Sequence, residues 1–299
     1  MMIRRVALVT GGSGFTGSSL IRRLTENGWL VHAIVRTGSN LNLLDEKSEQ
    51  LKIHIHDGST SGMIAILALS KPDVVFHLAS LVLTQHKPDD LLRLLQSNII
   101  FATQLAEAMS ENNSCSLINT GTFWQHYENR DYAPTTLYAA TKQAFEDILK
   151  YYVDAKNFRV ITLTLFDSYG PGDPRPKLFR LLRDANISRQ TLLMSPGEQL
   201  IDLVHIKDVV EAYIVAANLL FDSKVIGHER YSVSSGKPVK LKELVRIYEK
   251  VANTTIPIEW GGRNYRDREV MVPWSRGNSL PDWRPRISLL DGIKSVLTD

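Results

Sequence analysis

A glycine-rich turn between a short apolar strand and a helix constrains the fold more than any other feature of this sequence. The segment VALVTGGSGFTGSSLIRRL places Gly11, Gly14 and Gly17 directly after the strand and at the start of the helix. The first glycine permits a tight turn, the second lets backbone amides approach a pyrophosphate, and the third allows close helix packing. Amides at a helix start bind anions, so we predict a dinucleotide site. The further residues predicted to contact its phosphates are Ser13, Phe15 and Thr16.

Short β-rich runs alternate with helix-length segments through the first half of the chain. The strand-like runs are RVALVT, LVHAIVR, LKIHIHD, DVVFHLAS, SLINT and RVITLTLF. Apolar residues recur at helical spacing over 15–27, 88–112 and 137–156. This alternation predicts an α/β fold with a doubly wound parallel sheet. We predict a Rossmann domain over 1–168, with parts of 200–235 returning to it.

The chain becomes less regular from about Tyr169. The segment YGPGDPRP is a loop rich in proline and glycine, and the elements after it are shorter. The helices predicted there are 176–184, 208–221, 240–252 and 287–297, and YSVSS and PIEW are predicted as minor strands. We therefore predict that 169–299 forms mostly a smaller substrate-binding lobe.

Composition is typical of a globular protein, because 43% of the 299 residues are hydrophobic and 22% are charged. A net charge of +3, from 35 basic and 32 acidic residues, produces no concentrated field for a nucleic acid or a membrane surface. The first apolar run is too short for a secretory signal or a membrane span. Cys115 has no second cysteine to pair with, so we predict a cytoplasmic protein. The small net charge and the short apolar run predict that it has no nucleic-acid or membrane partner.

The end of the second strand indicates which nicotinamide cofactor binds. Arg36 stands where an NAD site usually offers a carboxylate to the ribose hydroxyls. A guanidinium suits a 2′-phosphate, so we predict NADP (NADPH) in preference to NAD. The alternative is a solvated arginine, in which case Ser39 and Asn40 could serve either cofactor. Asp57, after the third strand, is predicted to contact the adenine.

The segments SLINTGT and YAATK carry the predicted chemistry. The first ends a strand at the carboxyl edge of the sheet, where ligands bind, and Tyr138 and Lys142 share one helix face in the second. An ammonium beside a phenol favours the phenolate. We predict that Tyr138 transfers a proton, that Thr120 holds the reacting oxygen, and that Lys142 also binds the nicotinamide ribose. Tyr152 and Lys156 have the same spacing but lie more than three helical turns further on, and are predicted to be ordinary helix surface.

These motifs together resemble those of the extended short-chain dehydrogenases/reductases that act on nucleotide sugars. The resemblance rests on TGGSGFTG, HLAS, Asn98 in SNIIFATQLAEA, NTGT, YAATK and SYGPGD, and it covers nearly the full length. Near the carboxyl terminus, GEQLIDLVHIKDVVEAY, YRDREV and LPDWRPRISLLDGI look like the branch of 4-ketoreductases of the CDP-abequose and CDP-paratose synthase type. The resemblance implies a homodimer. The further cofactor contacts that it implies are Leu78, Ala79 and Ser80.

The resemblance also implies a substrate diphosphate between the two lobes. The residues that it implies as substrate contacts are Thr122, Asp167, Lys177 and Arg266. Arg266, in YRDREV, matches a phosphate-binding arginine whose fork suits phosphate oxygens. The alternative is a surface arginine paired with Asp267 or Glu269.

Three positions depart from the pattern of this family. Gly-Thr at 121–122 replaces the Asp-Glu pair of the related dehydratases, so dehydration is not predicted. Ile201 stands where many relatives have an arginine, and Asp167 where many have asparagine. Both changes weaken anion binding unless Lys177 or Arg175 compensates.

The predicted function is NADPH-dependent reduction of the 4-keto group of a nucleotide-linked 4-keto-6-deoxysugar. A nucleotide-sugar 4-epimerase that retains NAD would use the same three side chains and is the first alternative. A non-catalytic NADP-sensing interaction protein is the second, and it would be marked by a broken Tyr-Lys pair. No metal site is predicted, because His54 and His56 share a strand face without a third ligand nearby.

Overall fold

A seven-stranded parallel sheet forms the centre of the computed structural model, which describes residues 4–298. The strands are β1 (Val6–Thr10), β2 (Leu30–Arg36), β3 (Leu51–His56), β4 (Val74–His77), β5 (Ser116–Thr122), β6 (Arg159–Leu165), β7 (Asp167–Tyr169), β8 (Leu192–Met194), β9 (Leu200–Ile201), β10 (Leu203–His205), β11 (His228–Val233), β12 (Val239–Lys240) and β13 (Ile258–Trp260). The order in the central sheet is β3-β2-β1-β4-β5-β6-β11, with every neighbouring pair parallel. The prediction of a doubly wound parallel sheet is confirmed. The outer ends of the two predicted domains, residues 1–3 and 299, lie outside the described residues.

Helices cover both faces of the sheet and form the carboxyl-terminal lobe. They are α1 (Phe15–Glu26), α2 (Thr60–Ser70), α3 (Leu91–Leu95), α4 (Phe101–Glu111), α5 (Leu137–Lys156), α6 (Leu178–Ser188), α7 (Ile206–Phe221), α8 (Leu241–Ala252) and α9 (Leu289–Leu297). Five predicted helices have boundaries within two residues of those observed, whereas α6 ends four residues later than predicted. α2 was not predicted individually, because its apolar residues surround the helix and form no single face.

The segment predicted as one helix over 88–112 is divided into several parts. A short 3-10 turn (Pro88–Asp90) leads into α3, and a π turn (Gln96–Ile100) separates α3 from α4. Asn98 lies in the π turn and is buried. π turns inside helices often occur at functional sites, because the extra residue re-aims side chains.

Three apolar clusters form the core. One face of the sheet packs against α1 and α7 through residues such as Leu24 and Tyr213, and the other packs against α2, α4 and α5 through Leu105 and Leu149. A third cluster joins α6, α8 and α9 around Tyr248. Apolar helix stripes buried on a sheet are the usual source of stability in a layered α/β fold.

The segment predicted as a minor strand, YSVSS, belongs instead to the central sheet. It contributes to β11, which pairs in parallel with β6 along its whole length. β11 is the edge strand of this sheet, its outer side carries an isolated bridge between Ser232 and Ser279, and most of its residues are partly exposed. Because the sequence of β11, HERYSV, is polar, the pattern did not indicate that this strand belongs to the central sheet.

The strand order reverses between β1 and β4, which places a crevice at the carboxyl ends of the central strands. In open α/β sheets ligands bind at this switch point. The loop that follows β7 and the helices of the carboxyl-terminal lobe close the crevice on the other side, and residues from both line it. The fold therefore presents the glycine-rich turn and the end of β5 to one cleft.

Candidate active site

The glycine-rich turn is shaped by the backbone around it. Gly11 has φ +72°, and a Cβ there would lie 2.7 Å from the amide nitrogen of Ala79. A Cβ on Gly17 would overlap the carbonyl oxygen of Gly11. A Cβ on Gly14 would lie 3.4 Å from its nearest neighbour, the carbonyl oxygen of Gly11. Packing within the protein therefore does not require glycine at this position. An open approach at Gly14 fits the close passage of a pyrophosphate.

The first turn of α1 offers backbone amides to a ligand. Gly14 is the N-cap residue, and it has no side chain to bond the first amides of the helix. The cleft in front of it has a volume of about 1470 Å³. The predicted cofactor residues that line this cleft are Gly11, Gly14, Phe15, Thr16, Gly17, Leu78, Ser80 and Lys142. The turn and the cleft therefore fit a dinucleotide.

The other predicted cofactor residues lie beyond the lining of this cleft. These are Ser13, Arg36, Asp57 and Ala79. Arg36 is exposed at the end of β2, and its guanidinium has no hydrogen-bond or ion-pair partner within residues 4–298. Asp57 is also exposed, and its carboxylate accepts hydrogen bonds of 2.8 Å from the amide and the hydroxyl of Ser59. These bonds lower the pKa of Asp57, so its carboxylate is anionic at neutral pH. Ser59 already uses part of the hydrogen-bonding capacity of this carboxylate.

Tyr138 and Lys142 lie in the first two turns of α5. The Thr136 hydroxyl caps this helix by accepting from the amide of Ala139, and Tyr138 is thereby held in the first turn. The Tyr138 phenol is buried, and the side chains of Thr122 and Ser80 lie near it. Burial raises the pKa of Tyr138 to about 12, although these two polar side chains oppose part of the rise. The phenol is therefore a neutral proton donor at neutral pH.

Lys142 follows one helical turn later and is also buried. Burial lowers the pKa of Lys142 to about 8, and the nearby Glu146 carboxylate opposes part of this fall. The ammonium therefore remains mostly protonated at neutral pH, close to the point at which it loses its proton. A phenol that releases a proton beside a cation leaves a stabilised phenolate.

Two threonine hydroxyls of β5 lie at the end of the strand that faces the cleft. Thr120 donates a hydrogen bond of 2.8 Å to the carbonyl oxygen of His77, and its oxygen lies 2.7 Å from the Tyr213 hydroxyl. The contact with the phenol is made by Thr122. Residues 120 and 122 point to the same face of β5, but Thr122 is nearer the carboxyl edge because the strand extends two residues further than predicted. Both threonines line the cleft, so the assignment of the reacting oxygen to Thr120 stays a prediction, and Thr122 is a second candidate for that role.

Asn98 supports the site through hydrogen bonds, and its place in the motif SNIIFATQLAEA had not indicated this role. Its side-chain oxygen accepts hydrogen bonds from the Ser80 hydroxyl (3.1 Å) and the Leu81 amide (2.7 Å). Its side-chain nitrogen donates to the Leu81 carbonyl and the Thr141 hydroxyl, at 3.0 Å each. Asn98 therefore joins the loop after β4 to α5 and positions Ser80 beside the phenol. The sequence feature that could have indicated this role is an asparagine within a largely apolar stretch, because a buried amide side chain needs hydrogen-bond partners.

The four predicted substrate residues line the same cleft as Tyr138. The Lys177 ammonium lies 3.7 Å from a carboxylate oxygen of Asp167. Arg266 is 3.8 Å from Glu269, and its guanidinium lies 6.0 Å from the centre of the Trp124 ring. The ion pair with Glu269 matches the predicted surface alternative, although the arginine also reaches the cleft.

Two other residues suggested for this end of the cleft have different surroundings. The Arg175 guanidinium makes two hydrogen bonds of 2.7 Å to Asp173 and lies 4.7 Å from the centre of the Phe15 ring. Arg175 is therefore already paired and cannot fully compensate for the acidic residue at 167. Ile201 lines the cleft and supplies no charge.

The aromatic residues after β5 divide between the cleft and local packing. The Trp124 ring lies 6.1 Å from the Tyr138 ring, nearly perpendicular to it, and borders the cleft. His126 stacks on Trp274 with ring centres 3.6 Å apart. The His126 ring nitrogen Nδ1 also lies 2.6 Å from the carbonyl oxygen of Asp131, so this packing and this hydrogen bond account for His126.

The second tyrosine-lysine pair on α5 is structural. Tyr152 is buried and donates a hydrogen bond of 2.8 Å to the Glu107 carboxylate, whereas Lys156 is exposed. The prediction that both are helix surface is therefore wrong for Tyr152. Its ring fills the space between α4 and α5.

Residues 4–298 contain neither a candidate metal centre nor a candidate membrane span. His54 lies 2.8 Å from His32 and stacks on it, while His56 bonds the carbonyl oxygen of Ser59. Among the described residues, no group of three His, Cys, Asp or Glu side chains could hold a metal ion. None of the described helices combines the length and the apolar character needed to cross a membrane.

The chain is similar to known proteins over most of its length. The sequence model of the NAD dependent epimerase/dehydratase family matches residues 7–227. A CDP-abequose synthase from Yersinia pseudotuberculosis is 29% identical over 269 residues, which cover 89% of this chain and 90% of the relative. A UDP-glucose 4-epimerase from Mycolicibacterium smegmatis is 26% identical, with 97% and 96% covered.

Solved structures agree on the fold. The UDP-glucose 4-epimerase from Brucella ovis in complex with NAD superposes with a TM-score of 0.86 at 17% identity, and covers 98% of both chains. At this identity the similarity shows the fold alone. The sequence resemblance to the extended short-chain dehydrogenases/reductases is confirmed by the family match. The chain therefore belongs to the NAD dependent epimerase/dehydratase family and is an NAD(P)-dependent enzyme of the short-chain dehydrogenase/reductase type.

Proposed function

We propose that this enzyme reduces the 4-keto group of a nucleotide-linked 4-keto-6-deoxysugar with NADPH. The observation that carries the proposal is the placement of the Tyr138 phenol. It lies near the side chains of Thr122 and Ser80, with Lys142 one turn away, in the cleft that begins at the glycine-rich turn. A neutral phenol beside a cation suits proton donation to a developing alkoxide.

The side chains of this site have distinct tasks in the proposed reaction. NADPH supplies the hydride that reaches the carbonyl carbon. Tyr138 donates its proton to the carbonyl oxygen, so that the ketone becomes an alcohol. A threonine hydroxyl at the end of β5, that of Thr120 or of Thr122, orients that oxygen by hydrogen bond, and the Lys142 ammonium stabilises the phenolate that remains.

Arg36 supports the choice of NADPH. It ends β2, next to the strand that leads into the glycine-rich turn, and its guanidinium is unpaired within the described chain. A free guanidinium at this position suits the 2′-phosphate of NADP. The fold and family matches alone support only a nicotinamide cofactor.

The relatives support a reductase acting on a nucleotide sugar. Three CDP-abequose synthases are 25–29% identical to this chain over nearly its full length. The residues at 121–122 are glycine and threonine, which lack the carboxyl groups needed for acid-base elimination of water. Net reduction therefore suits the site better than dehydration.

A nucleotide-sugar 4-epimerase with retained NAD is the second candidate. UDP-glucose 4-epimerases are 24–26% identical to this chain, and the same phenol and ammonium would serve a reversible hydride transfer. The intact Tyr138 and Lys142 pair does not favour a non-catalytic NADP sensor. The two enzymatic candidates differ in whether the cofactor is consumed.

We also propose a homodimer formed through the outer face of α3, α4 and α5. Large apolar side chains are exposed there, with Leu92 79%, Tyr151 58% and Ile100 44% exposed. Large apolar side chains that are exposed on neighbouring helices are candidates for burial against a partner. A second copy of the chain would cover this face symmetrically.

The test is a panel of CDP-, dTDP-, GDP- and UDP-linked 4-keto-6-deoxysugars, each incubated with NADPH. We expect the NADPH absorbance to fall with at least one of them, and Tyr138→Phe to slow this by about 100-fold or more. Product configuration identifies the reaction. Bound NAD in the purified protein, with sugar interconversion and no consumption of reductant, would instead support the epimerase. Turnover unaffected by Tyr138→Phe would contradict both.

A further inference from the structure

A buried carboxylate that the proposed chemistry does not use lies one helical turn after Lys142. Glu146 is only 3% exposed. One of its oxygens accepts a hydrogen bond of 2.9 Å from the Gln125 side-chain nitrogen, and the other accepts one of 2.7 Å from Nε of Arg230. A buried anion is costly unless it is bonded in this way, so its presence requires an explanation.

Gln125 connects Glu146 to the hydroxyl-bearing end of β5. Its side-chain oxygen accepts a hydrogen bond of 2.9 Å from the Thr122 amide, and its nitrogen also donates to Gln143 at 3.1 Å. Gln125 is buried, and its amide is satisfied on both sides. The backbone of Thr122, whose hydroxyl contacts the phenol, is thereby tied to Glu146.

The charge on Lys142 depends on few neighbours. On its own helix it faces the Tyr138 phenol, which is neutral, and the Glu146 carboxylate. From β4 it faces His77, whose pKa burial holds well below the ordinary value, so that this ring is also neutral. Glu146 is thus the anion that acts on Lys142 among the described residues. Without an anion nearby, a buried ammonium loses its proton readily.

Arg230 limits the effect of this anion. It comes from β11, at the edge of the central sheet, and its side chain is 51% exposed while it bonds the buried carboxylate. A cation bonded to Glu146 cancels part of the field that the carboxylate exerts on Lys142. The electrostatic effect of Glu146 on Lys142 therefore depends on Arg230, a residue of β11.

We propose that Glu146 is a positioning residue. It keeps Lys142 cationic and, through Gln125, fixes Thr122 beside the phenol. Arg230 sets how strongly the Glu146 carboxylate acts on Lys142. This inference rests on the proposed chemistry of Tyr138 and Lys142. A carboxylate with a purely structural role would hold β11 against α5 without changing the proton affinity of Lys142. The two roles therefore give different results in a titration.

The test is a direct titration of Lys142 by NMR in protein labelled with ¹³C at the lysine side chains. The Lys142 signal is identified by its loss in Lys142→Met. We expect the wild type to titrate near 8. Glu146→Gln lowers this midpoint by about one pH unit or more, and Arg230→Gln raises it. Glu107→Gln is the control, because Glu107 lies on α4 and accepts its hydrogen bond from Tyr152; we expect it to leave the midpoint unchanged.

The opposite directions of the two shifts make the result decisive. An unchanged midpoint in Glu146→Gln, or shifts of both variants in one direction, would overturn the proposal. If Glu146→Gln does not fold, Glu146→Asp retains the charge and should retain the midpoint, and a fall there would also overturn it. The titration needs no substrate, so absence of sugar turnover would reject the proposed function and leave this inference standing.

The same charge should be visible in catalysis once a substrate is identified. Activity that requires cationic Lys142 is lost as pH rises through the midpoint of this group. The alkaline limb of the kcat profile should therefore move to lower pH in Glu146→Gln and to higher pH in Arg230→Gln. A loss of kcat with an unmoved limb would contradict the proposed role.

Discussion

The Thr120 hydroxyl donates a hydrogen bond to the His77 carbonyl oxygen, while the Thr122 side chain, two residues later on β5, opposes part of the rise in the pKa of the Tyr138 phenol. Because Thr120 has a single hydroxyl proton and the His77 carbonyl receives it, the Tyr213 hydroxyl must be the donor in the 2.7 Å contact with Thr120. The Thr120 hydroxyl is thus already paired within the protein, although both threonines line the cleft.

Valine substitutions at these two threonines should separate their roles. We expect Thr122→Val to lower kcat by about 100-fold, because it removes a hydrogen-bonding group from the reacting oxygen. Thr120→Val should cause a clearly smaller loss in kcat and a larger loss of thermal stability, since it leaves Tyr213 without an acceptor. Steady-state kinetics and thermal unfolding of both variants provide the comparison. An equal loss of kcat would place both hydroxyls at the reacting oxygen.

Lys142 should lower the stability of the folded protein at neutral pH. Burial holds its pKa at about 8 in the folded protein, below the ordinary lysine value of 10.5. Between these values the unfolded chain binds more protons, so the free energy of unfolding contributed by Lys142 increases as pH rises through this window. Lys142→Met should abolish activity, raise the unfolding free energy at pH 7, and flatten its rise between pH 8 and about 10. Denaturant unfolding at several pH values measures this; parallel curves for the two proteins would refute it.

Arg36 should distinguish the two nicotinamide cofactors. We expect Arg36→Ala to weaken NADPH binding by about 10-fold or more and to leave NADH binding nearly unchanged, because only NADPH carries the 2′-phosphate. Arg36→Lys should retain part of the preference. Fluorescence titration with both cofactors tests this directly. Equal wild-type affinity for NADH and NADPH would show that the arginine is a solvated strand end.

Asp167 should oppose an anionic substrate. Its carboxylate holds Lys177 at 3.7 Å, at the end of the cleft where a diphosphate is proposed. Asp167→Asn removes a like charge and releases the lysine, so we expect CDP and UDP to bind several-fold more tightly, and Lys177→Gln to weaken them. Asp222→Asn, which breaks the exposed pair with Lys224, is the control. Calorimetry measures the affinities. Weaker binding in Asp167→Asn would mean that the carboxylate itself contacts the nucleotide.

The proposed dimer face can be tested by charge. We expect sedimentation to show a dimer for the wild type, and Tyr151→Glu or Ile100→Glu to shift it to a monomer, because a buried unpaired carboxylate is costly. Ile187→Glu is the control, since Ile187 is 74% exposed on α6, in the carboxyl-terminal lobe. A monomeric wild type, or an undisturbed dimer in both variants, would contradict the proposal.

Features of the site that depend on neighbours along the chain could be predicted from sequence. The glycine-rich turn is a local strand-turn-helix unit, and Tyr138 and Lys142 share a face because of helical periodicity alone. The parallel sheet followed from the alternation of strands and helices. These rules need no knowledge of distant contacts.

Features that depend on distant contacts could not be predicted in the same way. β11 joins the central sheet by pairing with β6, which precedes it by more than sixty residues. The second candidate, Thr122, depended on where β5 ends in space, and the bond between Glu146 and Arg230 spans 84 residues of sequence. The division of the chain into domains at residue 168 stays a prediction.

The π turn that contains Asn98 makes the number of residues between α3 and α4 critical. Deleting one residue there would restore a regular α-helix and would remove the wide turn that holds Asn98. The amide that joins Ser80, Leu81 and Thr141 would then face elsewhere. Natural length variation in this enzyme should therefore be tolerated in its surface loops and excluded from residues 96–100.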